Sequence, residues 1–212
     1  DHVVQLKKAI KTDSRYYIFM EFCNGNDLKE LMEVKGWKIA PETVQKIMKQ
    51  LCHGFKDMMD VLVLHRDLKL QNIIINFPDD TEKILAMSKD QKKAYLRDID
   101  LLTTNFEIKI ADFGFSKKLK HKGHINKTIC GTPLYMAPQV VMKKEYSYKS
   151  DVWSIGVILF ELLNGLTPFH SRNKVEFEGK VEASKYNFKE SVKQNLTIEC
   201  ISFMSHCLQH AE

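Results

Sequence analysis

A chain of 212 residues with 32 Lys and Arg against 27 Asp and Glu carries a formal charge of +5, too modest and too evenly spread to select for nucleic acid or a membrane surface. At this length about 70% of the unfolded surface can be buried, enough for a full core, and 44% hydrophobic with 28% charged residues is the composition of a soluble globular protein. Cysteines at 23, 52, 130, 200 and 207 are odd in number and lack C-x-x-C spacing, which argues against a disulfide framework or a zinc site and for a reducing compartment, the cytosol or nucleus.

Tyr16 to Phe22 is aromatic and β-branched and runs into Asn24-Gly25-Asn26, so a strand ending in a turn is predicted. Pro41 opens a helix, where its missing N–H costs nothing. Val44, Ile47, Met48, Leu51, Cys52, Phe55, Met58 and Met59 follow at i, i+3, i+4 spacing and form one buried stripe. That helix leads through Val61 to Leu64 into His65-Arg66-Asp67-Leu68-Lys69-Leu70-Gln71-Asn72. Ile73 to Ile75 and Phe106 to Ile110 read as two short strands. The stretch between them, residues 77–105, is far longer than a hairpin loop of about two to five residues. It is read as a surface insertion, either inert or a partner or regulatory site. Its middle, Ser88 to Lys93, has nothing apolar to bury and is predicted to be disordered, while its flanks, with Ile84, Leu85, Tyr95, Leu96 and Ile99, form short helices.

Asp112-Phe113-Gly114 and Gly131-Thr132-Pro133-Leu134-Tyr135-Met136-Ala137-Pro138 come next. Ser150 to Leu163 is apolar nearly all round, which places a helix inside a helical layer. The longest apolar run, Ile155 to Phe160, is too short to cross a bilayer, and no signal-peptide pattern opens the chain. No period of about 20–50 residues recurs, so repeat architectures are set aside.

A lone Asp-Phe-Gly is common by chance, but the eight-residue block, Asp112-Phe113-Gly114 and the Gly131 to Pro138 segment in that order are not. Together they resemble the eukaryotic protein kinase family along essentially the whole chain. Lys69 in Asp67-Leu68-Lys69 has the form typical of serine/threonine kinases, and Asp112 to Ser116 resembles calcium/calmodulin-type and autophagy-initiating members. The resemblance implies an α+β, protein-kinase-like fold, with residues 1–22 a remnant of the strand-rich small lobe and the hinge entry. Residues 23–212 are then the mainly helical large lobe.

It also implies a site that uses ATP and Mg²⁺ to phosphorylate Ser or Thr hydroxyls of a protein substrate. Asp67 is the base for the hydroxyl proton, Lys69 lies along the transferring phosphate, and Thr132 touches both. Asn72 and Asp112 supply the hard oxygen ligands that suit Mg²⁺. Met20 limits the depth of the adenine pocket, and the backbone of Glu21 and Cys23 bonds the base. Asp27 reaches the ribose, and Ile74 is either the pocket floor or an ordinary core residue. His65 and Phe113 are packing elements, and Asp151 accepts hydrogen bonds from the catalytic-loop backbone. Thr128 stands where an upstream kinase places an activating phosphate, with Arg66 and Lys117 as its expected partners in a loop of otherwise mutually repelling lysines at 117, 118, 120, 122 and 127. Asp27 and Glu161 are acids placed to attract substrate arginines, although Gln71 is neutral where arginine-seeking kinases carry Glu.

Two departures stand out. The chain holds no G-x-G-x-x-G and none of the lysine–glutamate pair that follows it in the family, so residues 1–212 are expected to be a truncated catalytic domain that binds ATP poorly alone. Gln139 replaces the family's usual Glu, which predicts a weaker anchor for its segment. The alternative reading is a pseudokinase-like scaffold or inactive fragment acting through protein contacts. Intact Asp67, Lys69, Asn72 and Asp112 favour the enzyme, because a scaffold has no chemical need of all four.

Overall fold

In the computed structural model, which describes residues 1–121, 124–128, 130–143 and 145–209, the chain opens with an exposed hairpin. Strand β1 (Leu6–Lys11) pairs antiparallel with β2 (Tyr16–Met20), setting Leu6 opposite Met20 and Lys11 opposite Tyr16. Strand β1 escapes a sequence reading because Lys7, Lys8 and Lys11 break any apolar alternation. Apolar side chains of β2, Tyr16, Ile18 and Phe19 among them, remain largely exposed.

After the turn at residues 24–26, Asp27 caps α1 (Leu28–Val34) by accepting the Glu30 N–H at 2.9 Å. Helix α2 (Pro41–Asp60) buries Val44, Ile47, Met48, Leu51, Phe55 and Met58 on one stripe, with Cys52 and Met59 at its half-buried edge. It hands the chain to β3 (Val63–Leu64) and, after the His65–Asn72 block, to β4 (Ile73–Asn76). Strand β5 (Glu107–Ile110) pairs antiparallel with β4, Ile73 facing Ile110, and β6 (Lys117–Lys118) pairs with β3. His2 and Val4 extend the β4–β5 pair by bonding the backbone of Ile110 from its other side, each at 2.9 Å.

The insertion between β4 and β5 is ordered, which corrects the expectation for Ser88 to Lys93. It carries α3 (Thr81–Leu85) and α4 (Lys89–Asp98). A capping box starts α4: Ser88 Oγ accepts the Gln91 N–H at 3.3 Å, and the Gln91 side chain accepts the Ser88 N–H at 2.8 Å. Apolar anchoring comes from later in the helix, where Leu96 is fully buried and Tyr95 packs edge-on against buried Phe77 at 5.9 Å. Six polar residues at the start of a helix need no core of their own when its last turn supplies one. Ser88→Ala is therefore expected to cost about 1 kcal/mol, read as a lower urea midpoint and faster amide exchange across residues 89–93; unchanged protection there would show that the cap does not hold the helix.

Helix α5 (Pro138–Lys143) precedes α6 (Tyr148–Asn164), the centre of the helical layer. Ser154 to Leu162 is buried throughout, Trp153 stacks on Phe169 with centroids 5.2 Å apart, and α6 lies between α2 and α9 (Ile198–Cys207). Burying each large apolar side chain contributes about 1.5–3 kcal/mol, which makes α6 a firm platform for whatever rests on its first turn. Helix α7 (Lys174–Ala183), which packs on α5, and the short α8 (Glu190–Lys193) lie between α6 and α9 in the chain. Among the described residues no helix is long and apolar enough to cross a membrane.

Candidate active site

The His65–Asn72 block is held by Asp151, in the first turn of α6. Its carboxylate accepts the His65 N–H at 2.8 Å and the Arg66 N–H at 2.9 Å, 86 and 85 residues away in sequence. Complete burial raises the Asp151 carboxyl to about 6, against the opposing pull of those two hydrogen bonds and the Arg66 charge. Arg66 itself sits in the left-handed region at φ 68, so the loop bends where Asp151 grips it. Gly131 has φ +102, and a Cβ there would overlap the Arg66 carbonyl, so glycine is required where the two loops cross.

Asp67, buried, is the hub. Lys69 Nζ lies 2.8 Å from Asp67 Oδ2, Thr132 Oγ1 donates to Oδ1 at 2.7 Å, and Asn72 Nδ2 donates to the Asp67 carbonyl at 2.8 Å and to Oδ2 at 3.1 Å. Lys69 also donates to Thr132 Oγ1 at 2.9 Å, closing the set. Burial alone would raise this carboxyl, but the bonds from Lys69, Thr132 and Asn72 together outweigh it and hold the group below the usual carboxylate range. Asp67 is thus ionised at neutral pH and presents an acceptor.

His65 is fully buried, and burial pushes its imidazole below its ordinary value, so it is neutral. Its tautomer follows from its neighbours: Nε2 is 2.9 Å from the Ala111 carbonyl, which only accepts, and Nδ1 takes the Asp67 N–H at 3.3 Å. The ring meets Phe113 edge-on at 5.1 Å. His65 therefore packs and positions, and its one basic nitrogen is spent on Asp67's own backbone.

Strand pairing brings Asp112 to this hub. Asn72 immediately precedes β4, Asp112 lies two residues beyond β5, and the Ala111 N–H bonds the Asn72 carbonyl at 2.9 Å. Asp112 is exposed, with φ 62, and its Oδ1 accepts the Gly114 N–H at 3.2 Å. The Asn72 amide nitrogen is committed to Asp67, which leaves its oxygen and the second Asp112 oxygen as hard donors at one edge, a set that fits Mg²⁺. Among the described residues no three His, Cys, Asp or Glu side chains gather to hold a metal, so a cation held by Asn72 and Asp112 would need further ligands from outside this set.

The proposed nucleotide residues lie along the adjoining edge. Met20, at the end of β2, is 58% exposed. The Glu21 side chain reaches Lys109 at 3.5 Å and the Gln5 N–H at 2.8 Å, and its own N–H bonds the Gln5 carbonyl at 2.9 Å. Asp27 and Ile74 form a backbone bridge, so these two candidates are neighbours although 47 positions apart in the chain (74 − 27). Burial and the Glu21 charge push the half-buried Cys23 thiol up, so it is an unreactive group. Asn24, which the sequence presents only as part of a turn, is fully buried and bonds Asn76, Phe77 and Thr81.

On the regulatory side, Arg66 Nε donates to the Phe115 carbonyl at 2.7 Å and Nη1 to Asn126 Oδ1 at 3.4 Å, with its guanidinium 5.7 Å from the Tyr146 ring. The same Asn126 oxygen accepts the N–H of exposed Thr128 at 3.0 Å. Lys117 is exposed on β6, and Lys122 lies outside the described residues. The expectation that Glu161 attracts substrate arginines is corrected. Glu161 is buried, with Lys29 Nζ 3.4 Å from Oε1 and the Tyr135 hydroxyl donating to Oε2, so both oxygens are answered from within the chain. Gln139 donates to Ser150 Oγ at 3.3 Å, a local anchor in place of a distant ion pair.

Comparison places this arrangement: the protein kinase domain family matches residues 1–212, and the chain belongs to that family. It is similar to serine/threonine-protein kinase ATG1c of Arabidopsis thaliana, 31% identical over 210 residues that cover 98% of this chain and 25% of the relative. Serine/threonine-protein kinase unc-51 of Caenorhabditis elegans is 34% identical over 185 residues, 87% of this chain and 19% of its own length. For serine/threonine-protein kinase 33 of Bos taurus the figures are 30% over 200 residues, 93% and 37%. All three relatives are serine/threonine-protein kinases by name, and the chain spans well under half the length of each.

Proposed function

We propose that this domain transfers the γ-phosphate of ATP, with Mg²⁺, to Ser or Thr hydroxyls of a protein substrate. The observation that carries the reading is the closed set Asp67, Lys69, Thr132 and Asn72, with Asp112 beside it on the paired strands. Asp67 orients the acceptor hydroxyl and takes its proton. Lys69, hydrogen-bonded to Thr132, offsets charge that moves off the transferring group. Asn72 and Asp112 hold Mg²⁺, which supplies charge neutralisation on the phosphates when bound. The backbone of Glu21 and Cys23 takes the adenine below Met20, Ile74 floors it, and Asp27 bonds the ribose.

An upstream kinase acting on Thr128 fits the chemistry of the loop, because a phosphate there meets Arg66 through their shared neighbour Asn126, with Lys117 as a second cation. Work in the cytosol or nucleus is consistent with five free cysteines. Residues 1–212 contain no G-x-G-x-x-G, so activity is measured on the protein that carries this domain, as phosphate transferred from labelled ATP to a mixed protein substrate. Asp112→Asn is expected to raise the Mg²⁺ concentration for half-maximal transfer by about tenfold or more. An unchanged Mg²⁺ dependence would remove Asp112 from the metal site.

A further inference from the structure

The turn that leaves the hinge is held far more tightly than a turn requires. Asn24 donates from its backbone to Asn76 Oδ1 at 3.2 Å and from Nδ2 to the Phe77 carbonyl at 2.9 Å and Thr81 Oγ1 at 3.0 Å, and its Oδ1 accepts the Phe77 N–H at 2.8 Å. Gly25 donates to the Ile75 carbonyl at 2.9 Å and packs so close that any Cβ would overlap that carbonyl and the Phe77 ring. Asn26 accepts the Ile75 N–H at 2.9 Å while holding φ 67, a left-handed conformation that Asn tolerates better than most residues but still adopts at a cost. What holds its side chain is Lys92, from the insertion helix α4, whose ammonium donates to Asn26 Oδ1.

Lys92 is oddly placed for a solvated lysine. Its ammonium is half-buried at the start of α1, where the helix dipole disfavours a cation, and burial lowers its basicity against the opposing charge of Glu30. Helix α4 grips the other end of α1 too, through Lys35, which donates to the carbonyls of Arg97 at 3.1 Å and Ile99 at 2.7 Å. The insertion therefore clasps α1 at both ends, and its forward grip falls on the residue directly before Asp27. Asp27 has one oxygen committed to the Glu30 N–H and its backbone bridged to Ile74, a bridge that runs through the Asn26 carbonyl bonded to the Ile75 N–H at 2.9 Å, so a change in the Asn26 backbone would shift Asp27 and its carboxylate.

We propose that Lys92 is a positioning residue for the nucleotide ribose: by fixing the left-handed Asn26, the insertion helix aims the Asp27 carboxylate into the nucleotide site. This gives the 77–105 insertion a role in nucleotide affinity, and it rests on the reading of Asp27 as the ribose group. The test is binding of Mg²⁺–ADP and of adenine, which lacks the ribose, to the protein that carries this domain, by titration calorimetry. Lys92→Met is expected to weaken ADP about fivefold and leave adenine unchanged. Lys92→Arg, which keeps a donor for Asn26, should recover most of the loss. Asp27→Ala should weaken ADP as well, and adding Lys92→Met to it should cost nothing further. Loss of ADP and adenine binding in parallel would reduce Lys92 to a general structural residue and overturn the proposal, as would full ADP affinity in Lys92→Met when Asp27→Ala is impaired. If Asp27→Ala binds ADP normally, the ribose reading itself fails and the proposal falls with it.

Discussion

Asp67→Asn is expected to lower phosphate transfer by about 10²–10⁴-fold while leaving ATP affinity within about twofold. The amide is nearly isosteric, so Thr132 and Asn72 keep a neighbour of the same shape, but it no longer accepts a proton. The ion pair with Lys69, 2.8 Å long with both side chains largely shielded, is lost as well, which leaves Lys69 facing an amide and its charge free for the phosphate. Retained nucleotide binding with lost turnover is the signature of a group that acts in the transition state. The Asp67 carboxyl is held below the usual range, so it stays ionised across pH 5.5–8 and its own titration gives no acid limb there. It contributes stability above the ordinary carboxylate pKa, and that contribution is lost only as pH falls through its depressed value. Turnover of Asp67→Asn equal to the parent would exclude Asp67 as the base.

How far the sequence reaches depends on whether a residue's job is local. The stripe of α2 and the apolar run of α6 are written as periodicity, and both helices form over those residues, α6 starting at Tyr148, two residues before Ser150. His65 to Asn72 and Asp112 stand out because their order and spacing match a family pattern, and strand pairing brings Asn72 and Asp112 to one edge. Only the first half of helix α4 is misread as disorder, because the helix's apolar anchors sit at its end and its start is secured by a capping box of two polar side chains, Ser88 and Gln91. Asn24 and Glu161 fail for a different reason. Each is a polar residue whose partners, Phe77 and Thr81 for one and Lys29 and Tyr135 for the other, lie about 26 to 132 residues away, and no local pattern marks a buried polar group that is satisfied only after the chain has folded. Asp151 shares that long reach and is legible only because a family resemblance supplies its partner.

Removing Asp151 should cost both stability and turnover, and the two losses should separate with pH. In Asp151→Ala the N–H groups of His65 and Arg66 lose their acceptor beneath the loop, a penalty of about 1–3 kcal/mol each. The catalytic block then loses the contact that fixes its bend at Arg66, and a displacement of about 1 Å at Asp67 is enough to lower kcat about 10²-fold. Against the stability loss runs a gain, since the substitution also removes a buried carboxylate. Asp151 is raised from 3.8 to about 6 on folding, so between those values the folded chain holds a proton that the unfolded chain has released. Its stabilising contribution is complete below about pH 3.8 and shrinks by about 3 kcal/mol as pH rises through 6. The stability gap between the parent and Asp151→Ala is therefore expected to be about 2 kcal/mol wider at pH 4 than at pH 7.5, measured by urea denaturation of both proteins across that range, while kcat stays depressed at every pH. A gap that is constant or widens toward high pH would mean that Asp151 is ionised throughout and that its two backbone hydrogen bonds outweigh the cost of burying its charge.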